Sequence, residues 1–464
     1  MSGEPARVGS FAPRDVPGPA GRDPDARPRK ARSAPAAFLG GAIGRLLPPS
    51  IPFRYFGAST LFHVLAWLAL LAGAEGAPRF RGGLGWTAAA LHLVTLGVLV
   101  MTAIGASLQL LPVATRQSVR HTYGPVLVFW LYVPGVAIVA VGMGLAWPSV
   151  LAAGALLIAT GLAAYAVVLA RNLFGARGMP GVVAHVWVAW LSLAVVLIAA
   201  LSLAGAYVGR SALPREVALA LHVPFAAFGF MGMLALGLSY IVVPMFALAR
   251  MPDERAMRVS CALAAIALLA TAVAAFGVAP VSLRIAAIAA GACSVALHLR
   301  LMSIALRTGM RRELGPSFAL VRIAWGMLAA SLLAALGVVL DAPFEGMPAL
   351  FGVALIAGWL LTFVLGILQR IVPFLASMHA ARGTARPPTP SSLTLAGALR
   401  VHFIAHLAAL ALLVLAIVAN SAWIVRLAAI GGTVGAVAFL VFFSAAVRRM
   451  AASRKNAKEA VAPA

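Results

Sequence analysis

Residues 97–112 read GVLVMTAIGASLQLLP, residues 229–244 read GFMGMLALGLSYIVVP and residues 358–373 read GWLLTFVLGILQRIVP. Each stretch has one skeleton, a glycine, a second glycine eight residues on, and a proline seven residues after that. The copies are offset by 132 and 129 residues: Gly97, Gly105 and Pro112; Gly229, Gly237 and Pro244; Gly358, Gly366 and Pro373. Small residues let apolar helices approach closely, so the pattern predicts one packing seam used three times. The proline removes a backbone donor near one end of each stretch, where it is expected to bend the helix exit.

Working outward, each stretch lies inside a longer apolar run of the kind that crosses a bilayer, about 20 residues or more. Twelve such runs are legible, at roughly 55–74, 84–112, 124–146, 149–170, 181–207, 217–248, 258–279, 282–306, 318–340, 348–376, 399–419 and 422–447. The three skeletons fall in the second, sixth and tenth, which are also the longest. Gly82-Gly83, Pro148, Pro180, Pro214, Pro252 and Gly315-Pro316 punctuate the gaps.

Composition agrees. The chain of 464 residues is 62% hydrophobic and 10% charged, with mean hydropathy +1.00, whereas soluble domains carry about 25% charged residues. The expected fold is therefore all-α: a polytopic membrane bundle of about twelve helices, in three pseudo-repeated four-helix units at about 49–172, 173–312 and 313–450. Residues 1–48 form a basic tail rich in Pro, Arg and Gly, expected to be disordered and cytoplasmic. Residues 451–464 are expected to form a second cytoplasmic tail.

The formal charge of +24 does not point to nucleic acid, because its arginines sit in short loops between apolar runs. Placing the N-terminus inside leaves only Arg79, Arg81, Arg210, Arg215, Arg284 and Arg426 on the outer side, against thirty Lys and Arg on the inner side. That asymmetry follows the positive-inside rule and predicts a bacterial-type inner-membrane protein with both termini cytoplasmic. The lipid bilayer is its first partner. All twelve acidic residues lie in tails, loops or span ends, so the mid-membrane carboxylate of an ion-coupled carrier is missing. Cys261 and Cys293 lie in different runs and form no ligand pair.

The helix-two segment, LHLVTLG at 91–97 followed by GASLQLLPV at 105–113, resembles the second helix of cbb-type haem-copper oxidase subunit I and of oxidase-like membrane proteins. Helix six, from His222 through Gly229 and Tyr240 to Pro244-Met245-Phe246, and helix ten, GILQRIVPFL at 366–375 with His379 after it, are similar to the same proteins. NnrS-type proteins, twelve-helix haem and copper proteins linked to nitric oxide stress, are a more distant likeness by architecture. The resemblance implies three four-helix arcs in which helices two, six and ten carry inward-facing histidines that bind haem. Carried onto this chain, it makes His92 and His222 the candidate ligands, with His63 within reach of the same layer; each is equally readable as a hydrogen-bonded packing histidine. Haem is the implied cofactor and copper a lesser one, with respiratory-chain subunits or a redox partner as implied associates.

The departures from that family are specific. Residues 258–279 lack the histidine pair that binds copper, residues 348–376 lack the two haem histidines, and Ala226 stands four residues after His222 where several oxidases have tyrosine. Oxygen reduction is therefore not expected. Electron transfer, haem or metal handling, or a response to nitric oxide or oxygen fits the resemblance better. A small-solute permease and a non-catalytic assembly partner of a respiratory complex are the competing readings. Among the other histidines, His402 and His406 share a helical face at i,i+4 spacing, a weak metal signal without a third ligand. His185 and His298 lie toward inner helix ends, and His121 and His379 in loops or at helix ends.

Overall fold

The computed structural model describes residues 47–118, 122–311, 313–380 and 388–459. The N-terminal tail as far as residue 46, and His121, lie outside the described residues. Twelve helices are long and apolar enough to cross a membrane, and there is no strand among the described residues. They are α1 (Ser50–Ala72), α2 (Trp86–Ala114), α3 (Tyr123–Gly144), α4 (Pro148–Phe174), α5 (Pro180–Ala206) and α6 (Arg215–Ala247). The second half comprises α7 (Glu254–Ala275), α8 (Pro280–Thr308), α9 (Gly315–Val339), α10 (Met347–Ala380), α11 (Ala396–Val418) and α12 (Ala422–Glu459). The chain is a multi-pass membrane protein. In hydrocarbon every backbone amide must find its partner within the segment, which leaves the helix as the available form for such runs.

Local chemistry sets the boundaries. Pro148, Pro180 and Pro280 open α4, α5 and α8, where their missing N–H costs nothing. Asp253 caps α7 by accepting from the Ala256 amide at 2.8 Å. Leu248, with φ +54°, stops α6 by entering the left-handed region. Two helices run past their expected ends. α10 continues through Pro373 to Ala380 and so carries His379 in its last turns. α12 continues to Glu459, because residues 450–459, MAASRKNAKE, are mostly strong helix formers with no breaker; the expected C-terminal tail is thus largely an extension of the last helix.

Burial separates the helices into two classes. In the most apolar stretch of α2, α6 and α10, 72%, 89% and 67% of residues are buried, against 28–50% in the other nine. These three helices touch one another, while α3 with α4, α7 with α8 and α11 with α12 pack as outer pairs, and α12 closes against α1. The outer helices expose Leu61, Trp130, Leu191 and Leu333, each more than half accessible, a surface suited to lipid.

The glycines of the three skeletons face the preceding helix in every case. A Cβ on Gly97 would lie 2.7 Å from Phe62 of α1, one on Gly237 2.8 Å from His185 of α5, and one on Gly366 2.8 Å from the Ser317 carbonyl of α9. The close approach of α2 to α1, α6 to α5 and α10 to α9 therefore requires glycine at these positions. Each inner helix also widens into a π-helical stretch that includes its first skeleton glycine: Leu93–Val100, Phe225–Gly232 and Val353–Leu361. Such turns are rare and free backbone carbonyls from the regular ladder. Tyr132 of α3 donates to one of them, Leu96 O, at 3.1 Å, and Thr362 donates to Ala357 O at 2.8 Å.

Candidate functional site

His92 sits in α2 immediately before its π-helical stretch, and His222 in α6 three residues before the corresponding one. Although 130 residues separate them in sequence, their rings lie 6.5 Å apart with planes inclined by only 18°. Both side chains are half-buried. His92 Nδ1 is 2.9 Å from the Ala88 carbonyl. A carbonyl only accepts, so Nδ1 carries the hydrogen, and in the neutral ring Nε2 holds the lone pair. The Nδ1 of His222 is buried and has no hydrogen-bond partner.

His63 does not join this pair. It lies 6.4 Å from His402 of α11, which stacks at 5.5 Å and 24° on His406. Trp67, one turn along α1, donates its indole N–H to His63 Nε2 at 3.1 Å. That bond occupies the Nε2 lone pair and places the ring hydrogen on Nδ1, so His63 offers a donor where a metal needs a lone pair. His63, expected within reach of the layer of His92 and His222, thus has its ring beside His402 and bonded to Trp67. The i,i+4 pair His402 and His406 does acquire a third histidine, from α1, a neighbour that no spacing rule could supply.

A third grouping joins α5, α6 and α8. The Tyr240 ring lies 5.3 Å from His185 and 5.0 Å from His298. His185 Nδ1 bonds the Gly181 carbonyl at 2.8 Å, while His185 Nε2 and both His298 nitrogens are buried without partners. The Tyr240 hydroxyl lacks a well-aligned partner, with Ser260 of α7 beside it. Sequence reasoning set His185 and His298 aside; the only available signal was Tyr240, three residues after a skeleton glycine. The His379 ring meets Phe53 of α1 at 6.2 Å. Among the described residues no three His, Cys, Asp or Glu side chains converge as a metal-binding group.

An apolar cavity of about 150 Å³ lies on the flank of α2, bounded by Leu91 and Val94, by Val353 and Ile356 of α10, and by Trp67 and Leu413. Above it, exposed ion pairs join Arg79 to Glu345 at 3.0 Å and Arg426 to Glu75, tying the loops that precede α2 and α10 and the start of α12. Compared with known proteins, the chain matches no family model and no curated protein sequence.

Proposed function

We propose that this protein is a haem-binding membrane protein of oxidase subunit I-like architecture, with His92 and His222 as the ligand pair. The observation that carries the reading is the apposition of these two rings from separate inner helices at 6.5 Å. Two imidazoles sharing one metal, with metal–nitrogen bonds of about 2 Å, place their ring centres roughly 6 Å apart. The Ala88 carbonyl holds the His92 ring and its tautomer, the usual outer support of a metal-bound histidine. The shared skeleton, the matching π-helical stretches and the burial of α2, α6 and α10 support three pseudo-repeated four-helix units around this pair.

Held by the His92 and His222 rings, haem would supply a one-electron redox centre; copper alone is the weaker fit, since among the described residues no third His, Cys, Asp or Glu joins them. The neighbouring cavity, about 150 Å³, is smaller than the several hundred Å³ of a typical organic-ligand site. A haem held by this pair would therefore need more room than the cavity offers. A role in electron transfer, haem handling or response to nitric oxide or oxygen follows, without oxygen reduction, because α7 carries no histidine and α10 carries only His379. The arginine asymmetry supports an inner-membrane location with both termini cytoplasmic.

The test is the absorption spectrum of the purified full chain in mild detergent, oxidised and dithionite-reduced. A Soret band that disappears in His92→Ala and in His222→Ala is the expected result. A folded, colourless protein that takes up no added haem would overturn the reading.

A further inference from the structure

The group formed by His63, His402, His406 and Thr362 is almost fully enclosed, with exposures of 1%, 0%, 3% and 0%. Its hydrogen bonds fix where each ring carries its hydrogen. Trp67 donates to His63 Nε2 at 3.1 Å, so Nδ1 of His63 is an N–H, and it meets no acceptor. His402 donates from Nδ1 to the Gly435 carbonyl at 3.0 Å, so Nε2 of His402 is a bare lone pair, and it meets no donor. The Thr362 hydroxyl donates to the Ala357 carbonyl and therefore accepts from His406 Nε2 at 2.8 Å, which leaves the His406 lone pair on Nδ1.

An unpaired donor and an unpaired acceptor thus stand in neighbouring rings whose centres are 6.4 Å apart. Buried polar atoms of folded proteins almost always find partners, and where no side chain supplies one a small enclosed molecule does. We propose that His63, His402 and His406 form a binding site for one water-sized neutral ligand that both donates and accepts hydrogen bonds, either water or ammonia. The ligand accepts from His63 Nδ1–H and donates to His402 Nε2. With hydrogen bonds of about 2.7–3.2 Å on each side, one such molecule links ring nitrogens up to about 6 Å apart.

The chemistry selects against other occupants. A metal ion would face the hydrogen of His63, and no carboxylate lies at mid-span to balance a cation. Trp67 both holds the His63 tautomer and lines the apolar cavity of about 150 Å³, so its indole separates that cavity from the site. Gly432 of α12 gives the indole its seat, since a Cβ there would lie 2.2 Å from the ring. This site is distinct from the His92–His222 pair and does not depend on haem.

The experiment is solid-state NMR of the full chain, ¹⁵N-labelled at histidine, in lipid bilayers, with His63→Gln and His402→Gln used for assignment. The expected spectrum shows His63 protonated at Nδ1, His402 at Nδ1 and His406 at Nε2. Cross-peaks should join His63 Nδ1–H and His402 Nε2 to a slowly exchanging water proton. Replacement of that cross-peak by one to nitrogen on adding ¹⁵N-ammonium chloride identifies ammonia; its persistence identifies water. Absence of both, or a direct His63–His402 contact, overturns the proposal. Trp67→Phe, which keeps all three histidines, should convert His63 to a tautomer mixture and weaken the cross-peak at least twofold. An unchanged spectrum in that variant would also overturn it.

Discussion

The His92–His222 pair and the His63–His402–His406 group are both assembled from helices far apart in sequence, at nearly equal ring separations of 6.5 and 6.4 Å. They present opposite chemistry. In the pair, one ring is held by a backbone carbonyl and turns a lone pair outward. In the group, an indole takes a lone pair of one ring and leaves its hydrogen unpaired, while the neighbouring ring keeps an unpaired lone pair. Ring spacing alone therefore does not define a ligand site in this bundle; the partner of the second nitrogen does. The pair also stands half-buried on the inner helices, whereas the group is sealed between α1, α10 and α11.

The sharpest break of that comparison is spectroscopic. His222→Ala should abolish haem absorption entirely while His63→Ala leaves the band in place; equal loss in both would merge the two sites. Next in size is the seam that holds the inner helices. Gly97→Leu forces side-chain atoms into Phe62, already 2.7 Å from an added Cβ, and overpacking of this kind costs about 3 kcal/mol. Gly431→Leu on α12, where nothing lies within 4 Å, should leave the thermal unfolding midpoint unchanged.

A smaller effect tests the sealed group directly. Thr362→Val leaves His406 Nε2–H buried without an acceptor, a loss of about 1–3 kcal/mol, while Thr362→Ser restores the bond and should recover the wild-type midpoint. The smallest effect is expected at the exposed loops. Arg79→Gln removes the pair with Glu345, both side chains being more than half exposed, and should cost about 1 kcal/mol or less. Thermal melts of the five variants side by side rank these terms, and a reversed order would contradict the separation of inner seam from outer loops.

Much of this fold was legible beforehand because a bilayer imposes a length and a polarity on each crossing. All twelve spans fall within a few residues of their expected positions. Departures at the ends of α10 and α12 arise where a helix outlasts its apolar run, since propensity rather than hydropathy governs the last turns. The apposition of His92 and His222 was foreshadowed only by the resemblance, which put both on inward-facing helices. The partnership of Trp67 with His63 was not, nor was the meeting of His185, Tyr240 and His298, because a hydrogen bond one turn along a helix is chosen by the rotamer that packing permits.

By itself the sequence determined that this chain is a multi-pass membrane protein, with twelve helices among the described residues long and apolar enough to span a bilayer, three of them carrying one glycine skeleton. Those properties depend on hydrophobicity and side-chain size, which each residue carries wherever it sits. Which helices become the interior, which histidines meet and which nitrogen of each remains available were decided only by the tertiary structure. They depend on directional bonds between groups that the chain brings together after hundreds of residues, and direction exists only once the helices have packed.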